Sequence, residues 1–340
     1  MIQEPNAGRA RPFAPAVALV LLVLLVIACR RPVKSLVMYI DPEPEVTFGL
    51  MYYYQREARV KVTQYHNHDY SGAAATALLT RERDHPKADV YWGGDPIYCE
   101  ILRQRGLAIP FTTDSEIPQQ YRDPHQTWIG FAARARVLLV REALNDKPQS
   151  IRAYTDPKFR GRGALANPLS GTTRSHFAAL ATVWGDQKLV EFYQALLHNG
   201  THITKDTEES ADLVVKGEAD FALVDTDVAV ARIQKLLPLA IIYPDSAKDQ
   251  LGTMIIPNAL MIVKGCKDFD AARDLVSYLT SLDGETRVVT LGPSHIPLNP
   301  GVAIRTRYTR RTESLEVMRF DYTAAAQKLL DMEKILNARN

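Results

Sequence analysis

Cysteine is scarce in this chain: three residues, Cys29, Cys99 and Cys266, in a sequence of 340. A disulfide-built scaffold is thereby excluded, although the sequence leaves open whether Cys99 and Cys266 pair. An excess of charge of either sign is also missing. Lys and Arg number 41 against 39 Asp and Glu, for a formal net charge of +2. With no basic surplus to cluster on one face, no nucleic-acid partner is expected. Glycine (18) and proline (20) are too few for a collagenous or low-complexity chain. No repeat of about 20–50 residues points to a solenoid. Catalytic signatures are absent as well: there is no G-x-S-x-G elbow, Walker loop, G-x-G-x-x-G fingerprint, HExxH or CxxC. Nothing specifies a bond to break, so a binder with no cofactor is expected rather than an enzyme. What is present is an ordinary globular balance, 46% apolar and 24% charged, at a length suited to roughly two domains.

Long hydrophobic runs are likewise missing, with one exception. Arg9 and Arg11 precede an apolar stretch over residues 13–28, interrupted by Pro15. It is short for a membrane span, which needs about 20 apolar residues, and it reads as a secretory signal. Its end, Val26-Ile27-Ala28-Cys29, resembles a bacterial lipobox, followed by Arg30 and Arg31. The expectation is a signal peptide over residues 1–28, lipidation of Cys29 and a tether over residues 29–35. An uncleaved N-terminal anchor is the alternative. Either way the bulk of the chain lies outside the cytoplasm, in the periplasm or at the cell surface.

From Ser35 onward, short β-rich runs alternate with longer helical ones. Strands are expected at residues 36–40, 59–65, 88–92, 135–140, 163–166, 219–224, 239–243 and 259–263. Helices are expected at 46–57, 72–83, 96–105, 172–184, 187–197, 206–216, 228–236, 268–282 and 284–291, with a long C-terminal one at 314–336. Such alternation predicts an α/β fold built on largely parallel sheet.

In open α/β sheets, ligands bind beyond the carboxyl ends of the strands. Those ends carry Tyr39 and Asp41, His66 and His68 with Asp69, and Trp92 with Asp95. Later strands end in Asn167-Pro168-Leu169-Ser170-Gly171-Thr172-Thr173 and in Asp225-Thr226-Asp227. A glycine before two threonines at a helix start offers backbone N–H groups and hydroxyls to an oxyanion, or the threonines simply cap the helix. Asp225 and Asp227 suit an amine or a metal, or one of them caps the next helix. Trp92 beside two glycines suits a cleft wall, or core. Arg134 and Arg136, two apart on a strand, share one face and suit an anion or an inter-lobe ion pair. His66 and His68 have period-two spacing but no third fixed ligand, so a metal site is not favoured. Tyr52-Tyr53-Tyr54 reads as a helix stripe.

Several stretches in order resemble one family, the extracytoplasmic solute-binding proteins of ABC importers, in the ferric-iron-type branch. They include Ala88-Asp89-Val90-Tyr91-Trp92, Trp128-Ile129-Gly130-Phe131-Ala132-Ala133-Arg134, Asn167-Pro168-Leu169-Ser170-Gly171-Thr172-Thr173, Asp225-Thr226-Asp227-Val228-Ala229 and Ile296-Pro297-Leu298-Asn299-Pro300. The resemblance implies a two-lobed class II periplasmic-binding fold, each lobe a mostly parallel sheet flanked by helices, with the ligand cleft between. Lobe 1 is expected to hold residues 36–133 and 258–302, and lobe 2 residues 134–257 and 303–340. Crossings are implied near residues 131–136 and 254–258. An ABC permease and its ATPase are the implied partners of a monomer held to the membrane by its lipid.

Iron-holding members are associated with an adjacent tyrosine pair in the second lobe, where this chain has Asp225-Thr226-Asp227. Related branches take phosphorylated sugars or aminophosphonates. The expected ligand is a small anionic solute bearing phosphate or phosphonate. The residues expected to hold it are Tyr39, Asp41, Trp92, Asp95, Arg134, Asn167, Ser170, Gly171, Thr172, Thr173, Asp225 and Asp227. Ferric iron held by Tyr39, His66 and His68 is the alternative within the class; a lipid-anchored sensor or an enzyme on the same fold is the alternative outside it.

Overall fold

β-Branched and aromatic residues set β1 (Ser35–Ile40), β2 (Lys61–His66) and β3 (Val90–Gly93) as neighbouring parallel strands. Parallel neighbours need crossovers. These are α1 (Pro44–Ala58) and α2 (Gly72–Arg81). α3 (Pro96–Gln104) follows β3, with Asp95 as its cap and proline in its first turn. The computed structural model describes residues 34–42, 44–66 and 71–338. The signal segment, Cys29, His68 and Asp69 lie outside the described residues.

A second parallel set is made of β5 (Gly163–Ala166) between β6 (His202–Thr204) and β7 (Phe221–Asp225). Its helices are α4 (Gly171–Trp184), α5 (Asp186–His198), α6 (Thr207–Lys216) and α7 (Thr226–Ile233). β6 was not expected from the sequence. It is three residues long and two of them are exposed, so it carries almost no hydrophobic signal.

Two long antiparallel strands join the sets. β4 (Trp128–Arg141) and β9 (Ile255–Ile262) lie side by side, giving the order β2-β1-β3-β9-β4-β7-β5-β6, with β8 (Leu239–Ile242) also on β4. Every antiparallel pairing of named strands involves β4 or β9. The first part of β4 pairs with β9 from Trp128 to Ala135, and its second part pairs with β7 from Arg136 to Val140. Only this second part was expected as strand. The first holds Gly130 and Ala132-Ala133, weak β formers. A Cβ at Gly130 would stand 2.8 Å from the Pro257 side chain and 2.9 Å from the Tyr121 carbonyl, so close packing explains the glycine.

Between Phe131 and Arg134 the register of β4 on β9 shifts, with Ala132 at φ 38°. This is a bulge at the point where the chain passes between the sets. It is held from three sides. Ala133 and Ile296 exchange two backbone hydrogen bonds of 2.7 Å. Asn258 Nδ2 donates to the Ala132 carbonyl. Glu285, on α9 (Leu282–Leu291), accepts from the backbone N–H groups of Ala132 (2.5 Å), Leu298 (2.8 Å) and Asn299 (2.6 Å). Burial pushes the Glu285 carboxyl up and these three donors pull it back.

α8 (Phe269–Leu279) and α9 follow β9. The chain then returns along residues 297–321 to α10 (Tyr322–Asn337), which packs on α4 and α3. The C-terminal helix was expected from residue 314. Residues before it are instead drawn into extended pairing, with the Met318 N–H donating to the Thr253 carbonyl at 3.0 Å and the Thr253 N–H to the Glu316 carbonyl at 2.9 Å, and Asp321 caps the later start. Cys99 and Cys266 are separate thiols. Tyr52 and Tyr53 are exposed, whereas Tyr54 is core. Among the described residues no helix is long and apolar enough to cross a membrane.

Candidate functional site

A cavity of about 340 Å³ opens where the carboxyl ends of β1 and β3 face the start of α7, beside the β4–β9 crossing. Asp41, Trp92, Gly94 and Arg134 line it together with Glu208, Asp227, Asn258, Ser294 and His295. Its lining charges are three carboxylates and one guanidinium.

Arg134 stands among those carboxylates. Its Nη1 lies 3.2 Å from Asp227 Oδ2 and 3.5 Å from Asp225 Oδ2, and its Nη2 donates to the Gly94 carbonyl at 2.8 Å. Burial works against its charge, but Asp227 and Asp225 outweigh burial and raise its pKa. The side chain keeps 19% of its surface exposed and lines the cavity. Asp41 is buried and accepts from the Tyr91 hydroxyl and, at 3.4 Å, from Gly94 N–H. Trp92 packs on Phe131 with ring centroids 5.0 Å apart and donates to Asn258 Oδ1 at 3.2 Å. Glu208, at the start of α6, pairs with Arg232 at 2.5 Å yet stays largely exposed. His295 is held neutral by burial, which lowers its pKa. With Nδ1 donating to the Gly292 carbonyl at 3.1 Å, Nε2 is left as an acceptor.

Beneath this cavity lies a second, closed cluster around Arg136. Its side chain has no exposed surface. Nη1 donates to Asp225 Oδ1 (2.7 Å) and Thr172 Oγ1 (2.9 Å), and Nη2 to Thr173 Oγ1 (3.0 Å) and the Leu223 carbonyl (3.3 Å). Burial alone would raise the pKa of Asp225. Arg136 first, then Arg134, reverse the sign and lower it. Asp225 stands at the N-cap of α7 without a side-chain capping bond, because its carboxylate is engaged by the arginines.

Of the twelve ligand residues expected from the sequence, the structure gathers Asp41, Trp92, Arg134 and Asp227 around the cavity, with Asp225 directly behind Arg134. Thr172 and Thr173 do not line it, because their hydroxyls accept from Arg136. Asn167, Ser170 and Gly171 form an exposed turn outside it: Asn167 Oδ1 accepts from Leu169 N–H at 2.9 Å, and Ser170 Oγ donates to the Asn167 and Lys205 carbonyls. Tyr39 points away. Its hydroxyl donates to Glu82 at 2.8 Å and its ring contacts Tyr65. Asp95 is a buried cap, accepting from Ile97 N–H at 2.9 Å, and desolvation raises its pKa.

Of the metal alternative, Tyr39 and His66 can be placed, and His68 lies outside the described residues. Tyr39 pairs with Tyr65 and Ile40 with His66, so Tyr39 and His66 face opposite sides of the sheet. His66 contacts the Pro42 carbonyl and the Phe48 ring instead. Among the described residues no three His, Cys, Asp or Glu side chains are grouped to hold a metal ion. Sequence reading missed Glu208, Ser294 and His295. Glu208 reads as first-turn helix polarity and Ser294-His295 as loop, and neither carries a spacing signal.

A family model described as bacterial extracellular solute-binding protein matches residues 53–290 of this chain. Iron uptake protein A2 of Synechocystis is 27% identical over 252 residues, covering 68% of this chain and 72% of that protein. A protein of Salmonella typhi named as a putative 2-aminoethylphosphonate-binding periplasmic protein is 23% identical over 227 residues, 65% of each chain. Among solved structures, iron-bound HitA from Pseudomonas aeruginosa superposes with a TM-score of 0.78 at 18% identity, covering 90% of this chain and 100% of that one. That likeness establishes the two-lobed periplasmic-binding fold.

Proposed function

Since this chain belongs to the bacterial extracellular solute-binding proteins, the extracytoplasmic binding components of ABC importers, we propose that its cleft captures a small solute bearing both a phosphate or phosphonate group and an amine. The observation that carries this reading is Arg134 set among Asp41, Asp227 and Glu208 in one cavity. A purely anionic solute would meet three carboxylates against a single guanidinium. An amine turns those carboxylates from an obstacle into partners, while the anionic group takes the Arg134 guanidinium. Ser294 and the neutral His295 add short-range polar partners for the amine side. Thr172 and Thr173 act through Arg136 by fixing Asp225, while Asn167, Ser170 and Gly171 form the rim that approaches as the lobes close.

The closing bodies are residues 36–133 with 258–302 and residues 134–257 with 303–340. Rotation is taken up at the bulged β4–β9 crossing. The loaded monomer then delivers its solute to a permease and ATPase, tethered by lipid on Cys29. The Salmonella relative named for 2-aminoethylphosphonate supports the same solute chemistry.

A second reading, ferric iron, is favoured by the iron uptake relative and by the hard oxygen donors of Asp41, Asp227 and Glu208. Thermal shift and calorimetry with 2-aminoethylphosphonate, glycerol phosphate and ferric citrate separate the two. A ligand at a hundredfold its Kd adds about 2.7 kcal/mol to the folded state. Stabilisation by the aminophosphonate that is lost in Arg134→Ala and in Asp227→Asn is the expected result. Stabilisation by ferric citrate alone overturns it in favour of iron.

A further inference from the structure

The returning segment after Pro297 carries a run of positive charge. Arg305, Arg307, Arg310 and Arg311 fall within seven positions that contain no acidic residue. Arg305, Arg307 and Arg310 are exposed, and among the described residues no carboxylate lies within ion-pair distance of any of them. Arg311 differs: it pairs with Glu313 at 3.0 Å and donates to the Val302 carbonyl, so it braces the segment.

Arg305, Arg310 and Arg311 line one concavity of about 260 Å³, along with Thr306, Thr309 and Ser314. Its backbone is fixed from within and from below. Thr306 Oγ1 accepts from Tyr308 N–H (3.3 Å) and Thr309 N–H (3.1 Å), and Arg310 N–H donates to the Tyr243 hydroxyl (3.0 Å). The Arg310 guanidinium stands over the Tyr243 ring and donates to the Ser314 carbonyl at 2.6 Å. Thr306 and Thr309 share one hydrogen bond between their hydroxyls, so one of the two O–H donors is left over. The concavity thus holds the Arg310 and Arg311 guanidinium groups at set positions, with exposed Arg305 and the hydroxyls also lining it and no carboxylate in its lining. It is the electrostatic opposite of the cleft.

We propose that this concavity is a second anion site, for a phosphoryl oxyanion held by Arg305 and Arg310 with a threonine hydroxyl. Planar guanidinium forks beside hydroxyl donors match a tetrahedral oxyanion with spread negative charge. Binding one gives Arg305 and Arg310 a counter-charge in direct contact, whereas Glu313 acts on Arg305 only from beyond ion-pair distance. Free phosphate esters and the headgroup of an anionic phospholipid present the same chemistry. None of the lining residues belongs to the cleft, so the site stands or falls independently of the cleft's solute.

The test uses the full chain and an arginine-selective dicarbonyl label read by mass spectrometry, with exposed Arg160 as internal control. Inorganic phosphate at tenfold its Kd leaves about one site in ten open and should slow labelling of Arg305 and Arg310 roughly tenfold relative to Arg160. The same protection in phosphatidylglycerol vesicles, absent in phosphatidylcholine vesicles and in phosphate solution, assigns the site to a lipid headgroup. Labelling of Arg305 and Arg310 that tracks Arg160 under every condition overturns the proposal. Removing both guanidinium groups in an Arg305→Ala, Arg310→Ala variant should weaken phosphate binding by about tenfold or more. Arg311 is left in place because it braces the backbone, and the labelling of the unmodified protein needs no variant to fold.

Discussion

Arg134 and Arg136 are the same residue type, two positions apart on the same strand, and both reach Asp225. Arg134 sits in a cavity, shares its charge among Asp225, Asp227 and the Gly94 carbonyl, and keeps part of its side chain exposed. Arg136 is sealed, with Asp225, two threonine hydroxyls and the Leu223 carbonyl around it. The difference lies in what surrounds them rather than in the residue. A charge with every direction occupied by protein holds structure together, whereas a charge with one direction open can take a ligand. The inner pair fixes Asp225, and Asp225 in turn aims the outer arginine.

The sharpest way to break this contrast is to remove each arginine in turn. Arg136→Met leaves Asp225 buried without its main counter-charge and is expected to cost about 3–5 kcal/mol in chemical denaturation. The same change at Arg134 should cost less than half as much; equal losses would erase the distinction.

Acid probes the closed cluster next. His176 lies beside Arg136, fully buried, with its pKa lowered by desolvation to about 3. Between its ordinary value near 6.5 and 3, the unfolded chain takes up a proton that the folded chain refuses, so stability falls as pH drops through that window, by on the order of 5 kcal/mol over its whole width. Asp225, also lowered, adds to the loss below its ordinary carboxylate value. His176→Leu should flatten the upper part of this acid limb, as followed by denaturation midpoints between pH 7 and 4.

On the open side, Arg134→Ala is expected to weaken the solute by about thirtyfold, the worth of one charge-assisted contact of ~2 kcal/mol, with the unliganded melting temperature little changed. Calorimetry alongside thermal melting separates the two effects. The smallest change is expected from Thr172→Val with Thr173→Val, which should cost about 1–2 kcal/mol of stability through Arg136 and only modestly weaken binding. Abolished binding with an intact melting curve would mean that these hydroxyls touch the solute directly.

Much of this architecture is legible in the chain. The alternation of short and long apolar runs locates both parallel sets, and residues 163–166 coincide with β5. Polar and aromatic residues at strand ends point to Asp41, Trp92 and Asp227, and the two-residue spacing from Arg136 points to Arg134. What the one-dimensional pattern does not carry is depth and direction. Tyr39 sits in a strand buried on both faces, so alternation cannot say which face meets the cleft. Nothing distinguishes Arg136 from Arg134 until the sheet closes over it, and with that depth goes the knowledge that Thr172 and Thr173 are engaged. The first part of β4 is hidden by small residues whose place is dictated by Pro257 and Glu285, far along the chain.

β3 pairs with β1 early in the chain but finds its second neighbour only in β9, and the Trp92 indole meets Asn258 across a gap of 166 positions. A ribosome has therefore made the whole second parallel set before it delivers the strand that completes the first. At roughly 5–20 residues per second, the N-terminal sheet waits many seconds with an open edge. The strand that closes the first sheet thus comes from the last quarter of the sequence, so the first-made part of the molecule is among the last to be completed.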